Sequence, residues 1–439
     1  MRPMYERIVL RHVRLVTDQL VDLTIDQGII TSIVDANLGH DANLASEVNE
    51  VNEVNEVNDA NLANEVNEVH TANLVLEGKS THEVSEKEVT ELDIAPLPSQ
   101  EIYEDERKDS KVKVVQGAGL YVSSGWIDMH VHAFSDLHPY GDEIDEIGVW
   151  QGVTTIIDAG SCGADRIAEL YHRAGHARTN VLAFLNISKL GLTRIDELTN
   201  MEWIDLNRAA EAVQHYAEFI VGLKARISAS VVGSNGIEPL IKAKELSHMT
   251  GLPLMVHIGS GPPVIEEVLN YLDYRDIVTH YLNGKANNLF DTEGEPLPEL
   301  GAALKRGVHL DVGHGTASFS FEAAELARLH GIRPRTISTD IYRGNRLQGP
   351  VYSLAHVMSK FLYLGYSLSD IIDAVTIHAA QWLHRPELGR IQVGDSANLT
   401  LFEVKEEEIL LTDSEGVNRI GTSYIQAKGA IIHDTFIEC

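Results

Sequence analysis

Short β-rich runs alternate with helix-like stretches along most of this 439-residue chain, and this alternation restricts the folds that it can adopt. Helix-like stretches such as Ile167–Ala174, 203–219 and 236–250 separate the runs. Strands that alternate with helices predict an α/β protein with a parallel (β/α)8 barrel of the TIM type, and a doubly wound open sheet is the alternative. The eight apolar runs that predict these strands are residues 125–132, 154–159, 181–187, 220–227, 252–258, 277–282, 308–312 and 336–341.

Both ends of the chain are β-like and lie outside this alternating region. They predict a small β-sandwich domain built from both termini, beside the barrel. No Gly-x-Gly-x-x-Gly follows any predicted strand, which counts against a dinucleotide-binding sheet. The predicted divisions are a first sandwich segment at 1–35, an acidic low-complexity insertion at 36–112, a second sandwich segment at 113–123, the barrel at 124–385 and a third sandwich segment at 386–439.

The insertion is built on a Glu-Val-Asn repeat that starts at Glu47. A three-residue period matches neither a helix nor a strand, so it produces no continuous apolar face. Residues 36–110 hold 19 acidic and 4 basic residues, which is half of the net negative charge of the chain. We expect a flexible or poorly packed segment, and an acidic partner-binding or solubilising tract is the alternative.

Charge and cysteine content exclude several classes of protein. The chain has 65 acidic and 35 basic residues, a formal net charge of −30, which disfavours nucleic acids and anionic membranes as partners. Its two cysteines are too few for a disulfide framework. No apolar run approaches the ~18 residues of a membrane span, and the first residues do not resemble a signal peptide. We expect a soluble cytoplasmic enzyme that acts on a small molecule.

Two histidines separated by one residue end the first predicted barrel strand. Residues i and i+2 of a strand point to the same side, so His130 and His132 both face one side, roughly 6 to 7 Å apart. Two imidazoles that point into a barrel mouth can hold one metal ion. A lone His-x-His pattern is nevertheless weak evidence for a metal site.

Four more polar residues lie at the carboxyl ends of other predicted strands, where barrel enzymes keep their chemistry. They are Lys224 in strand four, His257 in strand five, His280 in strand six and Asp340 in strand eight. Any one of them alone fits a satisfied polar residue at a strand end, but together they predict a shared site. A lysine among apolar neighbours is costly to bury, and carboxylation of its amine by CO₂ would turn it into an anionic ligand.

At these residues the chain resembles the metal-dependent amidohydrolase superfamily, and more closely its dihydroorotase-like deacetylase branch. The resemblance rests on GWIDMHVH at 125–132, the strand-four lysine, the two single histidines and the last aspartate. Supporting stretches are GVTT at 152–155, GLKAR at 222–226 and LGRIQVGDSANL at 388–399. The resemblance spans nearly the whole chain outside the insertion, and its motifs are specific for the two-metal type but not for a substrate.

The resemblance implies two divalent metal ions, with Zn²⁺ preferred and Mn²⁺, Fe²⁺ or Co²⁺ as alternatives. It also implies a homo-oligomer, as is common among relatives. The implied ligands are His130, His132, Asp340 and the CO₂-carboxylated Lys224 for one ion, and Lys224, His257 and His280 for the other.

The resemblance further implies hydrolysis of an amide bond in a small N-acyl compound, as in a deacetylase or aminoacylase. A hydroxide that bridges the metals attacks the carbonyl, and Asp340 acts as general base and then as general acid. The alternatives are a cyclic amidase of the dihydroorotase kind or an esterase on the same site. A non-catalytic scaffold barrel is a further alternative, but such a protein would have lost metal ligands, and all six are present.

Substrate contacts are predicted less directly. Dihydroorotases usually carry an arginine two residues after the second histidine, whereas here Ala-Phe follows His132, which counts against that activity. Arg226 lies two residues beyond Lys224, on the same side of the strand, and would either bind a substrate carboxylate or form a structural salt bridge. His314, between two glycines after strand seven, is a second substrate-contact candidate.

Overall fold

The computed structural model describes residues 5–37 and 111–439. Most of the acidic insertion therefore lies outside the described residues. Its two interpretations, a flexible or poorly packed segment and an acidic partner-binding or solubilising tract, fall on these residues too. The domain divisions stay predictions.

The described residues contain the following strands and α-helices. The strands are β1 (Arg7–Leu15), β2 (Leu20–Asp26), β3 (Ile29–Asp35), β4 (Val112–Gln116), β5 (Tyr121–Ser124), β6 (Trp126–Val131), β7 (Val153–Ala159), β8 (Asn180–Asn186), β9 (Ile220–Ile227), β10 (Leu254–Ile258), β11 (Ile277–Thr279), β12 (His309–Asp311), β13 (Asn398–Lys405), β14 (Ile409–Thr412), β15 (Asn418–Gly421), β16 (Tyr424–Ile432) and β17 (Thr435–Glu438). The helices are α1 (Ile144–Ile147), α2 (Ile167–Ala174), α3 (Leu206–His215), α4 (Ala229–Val232), α5 (Glu238–Thr250), α6 (Ile265–Asn270), α7 (Pro298–Arg306), α8 (Phe321–Leu329), α9 (Arg343–Gln348), α10 (Leu354–Tyr363), α11 (Leu368–Val375) and α12 (Ile377–Trp382).

Strands from both ends of the chain form one separate eight-stranded sheet, in the order β17-β16-β13-β5-β1-β2-β3 with β4 also paired to β1. The sheet branches at β1, whose first half pairs with β4 and whose last residues pair with β5. Residues of this sheet, such as Leu10, Leu23 and Leu399, form most of a buried core of their own. This arrangement confirms the predicted small β domain built from both termini.

Seven parallel strands, β6 to β12, form the barrel, and each of β6 to β11 pairs with the next strand along the chain. The eighth predicted strand, 336–341, is joined on both sides by single parallel bridges, Asp311 to Thr336 and Val131 to Ile341. It therefore lies between the last and first strands and nearly closes the barrel, which confirms the predicted fold. Its irregularity has a backbone cause, because Asp340 adopts a left-handed φ of 51° that interrupts the pleat.

The amino-terminal end of the barrel is filled by large apolar side chains, among them Met129, Phe184, Met255 and Trp382. The space for a ligand is therefore at the opposite, carboxyl end of the strands, where the connecting loops begin. Among the helices of the described residues, none has both the length and the apolar character that crossing a bilayer requires.

Leu399 tests the terminal core, because its side chain is fully buried between β5 and β16. We expect Leu399→Ala to lower the free energy of unfolding by about 3 kcal/mol, since it removes buried methyl groups and leaves a cavity. Urea denaturation measures this change. Ile420→Ala, at a residue with 64% exposure, is the control and should change stability by less than ~0.5 kcal/mol. Equal effects of the two substitutions would contradict the assigned core.

Candidate active site

The structure brings the six predicted metal-site residues to the carboxyl end of the barrel. His130 lies on β6 and His132 directly follows that strand. Each of the other four residues comes from a different strand or strand end. The His280 ring lies between two of the others, with its centroid 4.4 Å from that of His257 and 5.0 Å from that of His130. Neighbouring parallel strands place their ends side by side, so six residues distant in sequence form one cluster.

One half of the cluster contains His130, His132 and Asp340. The Asp340 Oδ1 atom lies 3.4 Å from His130 Nε2 and 3.1 Å from His132 Nε2. One ligand atom from each residue fits within a set whose members are all within 4.8 Å of one another. This spacing suits a single divalent cation between two imidazoles and a carboxylate.

A buried carboxylate orients the His130 ring through a threonine. The Thr279 hydroxyl donates to Asp311 Oδ2 over 2.7 Å, so its oxygen accepts the hydrogen of His130 Nδ1, 2.9 Å away. The proton therefore sits on Nδ1, and the lone pair of Nε2 is directed into the site. Such outer hydrogen bonds fix the tautomer and raise the basicity of a metal-binding imidazole.

A backbone carbonyl orients the His280 ring in the same way. Its Nδ1 donates to the Gly313 carbonyl oxygen over 2.5 Å, while its buried Nε2 has no hydrogen-bond partner among the described residues. An unpaired buried nitrogen is costly unless a ligand completes it. Burial lowers the pKa of His280, and also that of His257, so both rings are neutral at neutral pH, as metal binding requires.

Lys224 is fully buried in the middle of the cluster. Its Nζ lies 3.1 Å from His130 Nε2 and 3.3 Å from Met255 Sδ. Burial lowers the pKa of this amine to about 7, against the attraction of Asp340. A substantial fraction is therefore the neutral amine at neutral pH, which is the form that can react with CO₂.

Asp340 is the acidic group of the site. Burial alone would raise the pKa of its carboxyl group, but the adjacent His130 and His132 hold it below its usual range. The carboxylate is therefore ionised at neutral pH and can serve as a ligand and as a proton acceptor.

A cavity of about 320 Å³ opens above the cluster. The walls include Tyr140 and Tyr342, whose rings meet edge to face at 5.3 Å, and also Arg226 and Lys285. The predicted residues on the floor are His130, His132, Lys224, His257 and Asp340. This volume suits a small molecule.

The structure places Arg226 in the cavity wall and also in a salt bridge. Its Nε and Nη2 atoms each bind a carboxylate oxygen of the fully buried Glu197 at 2.7 Å, and Nη2 also donates to the Ile195 carbonyl. The salt bridge, one of the two alternatives foreseen for this residue, is present and uses one edge of the guanidinium, while binding of a substrate carboxylate stays a prediction.

His314 is not among the residues that line the cavity. Its Nε2 faces Lys360 Nζ at 2.7 Å, its Nδ1 faces the Gly315 carbonyl at 2.8 Å, and its ring stacks on Phe319. Both ring nitrogens are therefore engaged within the protein, and the structure does not bring this predicted contact to the substrate space.

The two glycines that flank His314 touch the site instead. Both have left-handed φ angles, and a Cβ on Gly313 would lie 2.3 Å from Thr279 Oγ1, while one on Gly315 would lie 2.4 Å from Asp340 Oδ2. The Gly-His-Gly motif therefore lets the backbone approach the metal site closely.

Sequence patterns did not reveal two groups of residues at the site. These are the supporting residues Thr279 and Asp311, and the cavity residues Tyr140, Tyr342 and Lys285. Thr279 and Asp311 end β11 and β12, so the strand-end rule that selected the histidines would have selected them too. The two tyrosines and the lysine lie on loops, and no local pattern distinguishes them.

Comparison with known proteins identifies the family of this chain. A deacetylase from Enterococcus faecalis is 44% identical over 316 residues, which cover 72% of this chain and 86% of that protein. A deacetylase from Brucella anthropi is 37% identical over 310 residues, 70% of this chain and 77% of the relative. The chain belongs to the amidohydrolase superfamily. It falls in the dihydroorotase-like branch and is a hydrolase that acts on C–N bonds.

Two solved structures match this chain over nearly all of its length. A structure described as an adenine deaminase has a TM-score of 0.79 and 33% identity, covering 98% of this chain and 99% of that one. A dihydroorotase structure has a TM-score of 0.75 and 27% identity, covering 99% and 98%. A family model described as a deacetylase-like composite domain matches residues 391–434, in the terminal sheet.

Replacement of Thr279 tests whether its hydrogen bonds orient His130 for metal binding. We expect Thr279→Val, which keeps the shape but removes the hydroxyl, to weaken divalent-metal binding by about 10- to 100-fold, because His130 loses its link to Asp311. Competition with a chelator measures the affinity. Thr31→Val, in the terminal sheet, is the matched control and should leave metal binding unchanged. An unaltered affinity in Thr279→Val would show that the link does not support the site.

Proposed function

We propose that this amidohydrolase is a two-metal deacylase that cleaves the amide bond of a small N-acyl compound, with N-acyl amino acids as the leading substrates. The observation that carries the proposal is the site itself, in which four imidazoles, one buried amine and one carboxylate converge below a small cavity. The relatives named deacetylases support the reaction type.

The donor atoms fit two divalent ions, with Zn²⁺ preferred for imidazole and carboxylate ligands. His130, His132 and Asp340 already have the spacing of one site. His257 and His280 would hold the second ion, and the unpaired buried Nε2 of His280 is the feature that such an ion would complete. Lys224 lies between the two sets, and its carboxylation by CO₂ would supply an oxygen to each.

When bound, the ions would supply Lewis acidity toward the carbonyl and lower the pKa of water to about 7. The protein's own contribution begins with Asp340, whose carboxylate accepts a proton from the attacking water and passes it to the leaving nitrogen. The cavity walls position the acyl compound above this carboxylate, and the packed floor keeps bulk water from the barrel interior.

Metal removal tests the reaction. We expect chelator-treated protein to lose turnover of N-acyl amino acids and to recover it with added zinc, with close to two metal equivalents in the active form by elemental analysis. A panel that includes the corresponding esters and cyclic amides separates deacylation from the esterase and cyclic amidase alternatives. Full turnover by metal-free protein would contradict the proposal.

Lys224 tests the shared ligand. We expect Lys224→Met to lower turnover by at least about 10³-fold, because it removes the group between the two metal sets, and to lower the bound metal below two equivalents. Added short carboxylic acids should partly restore turnover in Lys224→Ala, where they replace a carbamate oxygen. Lys244→Met, at another buried lysine paired with Asp276, is the control for general destabilisation and should retain the metal.

The native metal, the cytoplasmic location and the homo-oligomeric state stay predictions of the sequence.

A further inference from the structure

Lys285 places a second cation in the wall of the cavity. It follows β11 in the loop that begins at His280, and its Nζ has neither a hydrogen bond nor an ion pair within the parts of the chain that the structure describes. The side chain is half-buried. Burial lowers its pKa, and Asp340 is the charged group that acts in the opposite direction. A partly buried ammonium without a partner is unfavourable unless a ligand anion completes it.

Gly259 packs closely against this ammonium. A Cβ built on Gly259 would lie 3.3 Å from Lys285 Nζ, 3.6 Å from His257 Nε2 and 3.1 Å from Ser228 Cβ. Gly259 does not have a left-handed φ. The absence of a side chain at Gly259 therefore leaves room for the lysine, whose ammonium lies close to a histidine of the candidate metal site.

The turn that carries Lys285 is fixed to the metal site. The backbone N–H of Lys285 donates to Asn283 Oδ1 over 3.1 Å, and Asn283 Nδ2 donates to the His280 carbonyl over 2.8 Å. On the other side, Asn287 Nδ2 donates to the Gly259 carbonyl over 2.9 Å. These hydrogen bonds hold Lys285 and Gly259 in a fixed position relative to His280.

Arg226 is less available than Lys285 to bind a ligand anion. Its charge is balanced by the buried Glu197, which binds two of its nitrogens. Of the two cations in the cavity wall, Lys285 is the one that makes no salt bridge within the described residues. Lys285 is therefore the cation that remains available for a ligand anion.

We propose that Lys285 binds the substrate's carboxylate from the wall of the cavity, and so selects N-acyl amino acids over neutral N-acyl amines. The inference rests on the proposed deacylase function and deepens it. Because Lys285 and His257 line the same cavity and both lie close to Gly259, the carboxylate must lie close to the scissile bond, as it does in N-acyl α-amino acids.

Matched ligands test this proposal by binding and by turnover. Metal-loaded protein is titrated with N-acetylglycine and with both enantiomers of N-acetylalanine, each beside its neutral carboxamide, and hydrolysis of the same compounds is followed. We expect wild type to prefer an acid by at least about 10-fold. Lys285→Met, which keeps the apolar stem, should weaken binding of that acid by about 10- to 100-fold, the scale of a charged hydrogen bond, and leave the carboxamide within about threefold.

Two variants complete the comparison. Lys285→Arg keeps the charge and should retain some of the preference for the acid. Lys242→Met removes an exposed lysine on α5 that pairs with Glu245, and it should behave as wild type.

The outcomes separate this inference from the proposed function. A Lys285-dependent preference in binding without hydrolysis would support the carboxylate site and overturn the deacylase. Equal losses for acid and carboxamide in Lys285→Met would overturn the carboxylate site. No preference in wild type, or no binding of any acid, would do the same.

Discussion

Two buried carboxylates below the mouth of the barrel fix the strand ends that carry the candidate site. Asp311 accepts hydrogen bonds from Thr279, Ser338 and Thr336. Asp128 accepts from the Thr339 hydroxyl and from the His130 backbone N–H. Each of these groups would be costly to bury alone, so the bonds that satisfy them also fix which strand ends meet.

The segment that closes the barrel depends on this network. Residues 336–341 make only isolated strand bridges, and hydrogen bonds from Thr336, Ser338 and Thr339 to the two buried carboxylates replace much of a regular ladder. Asp340 and His280 both keep left-handed φ angles, which cost free energy unless the surroundings impose them. The backbone is therefore shaped to present a carboxylate and an imidazole, and the candidate metal site is arranged by the protein itself.

The hairpin of β14 and β15, inserted between β13 and β16 of the terminal sheet, contributes to the same region. The Ser414 hydroxyl, in the loop between β14 and β15, donates to the Gly315 carbonyl over 3.0 Å, and Asp413 accepts from the Phe321 N–H over 3.0 Å. Lys360, on α10, connects His314 to the Thr412 carbonyl. The carboxyl-terminal strands thus support the glycine loop that lies against Asp340, which gives the small domain a direct physical link to the active site.

The sequence by itself determined the class of fold and the six residues of the candidate metal site. Strand periodicity and the position of a residue at a strand end are local properties, so they can be read before any strand is paired. The tertiary structure alone decided that Arg226 meets Glu197, that His314 faces Lys360 and that Lys285 packs against Gly259 with no salt bridge among the described residues. Those outcomes depend on which distant side chains share a buried space, and the free energy of a polar group is set by the partner it finds there.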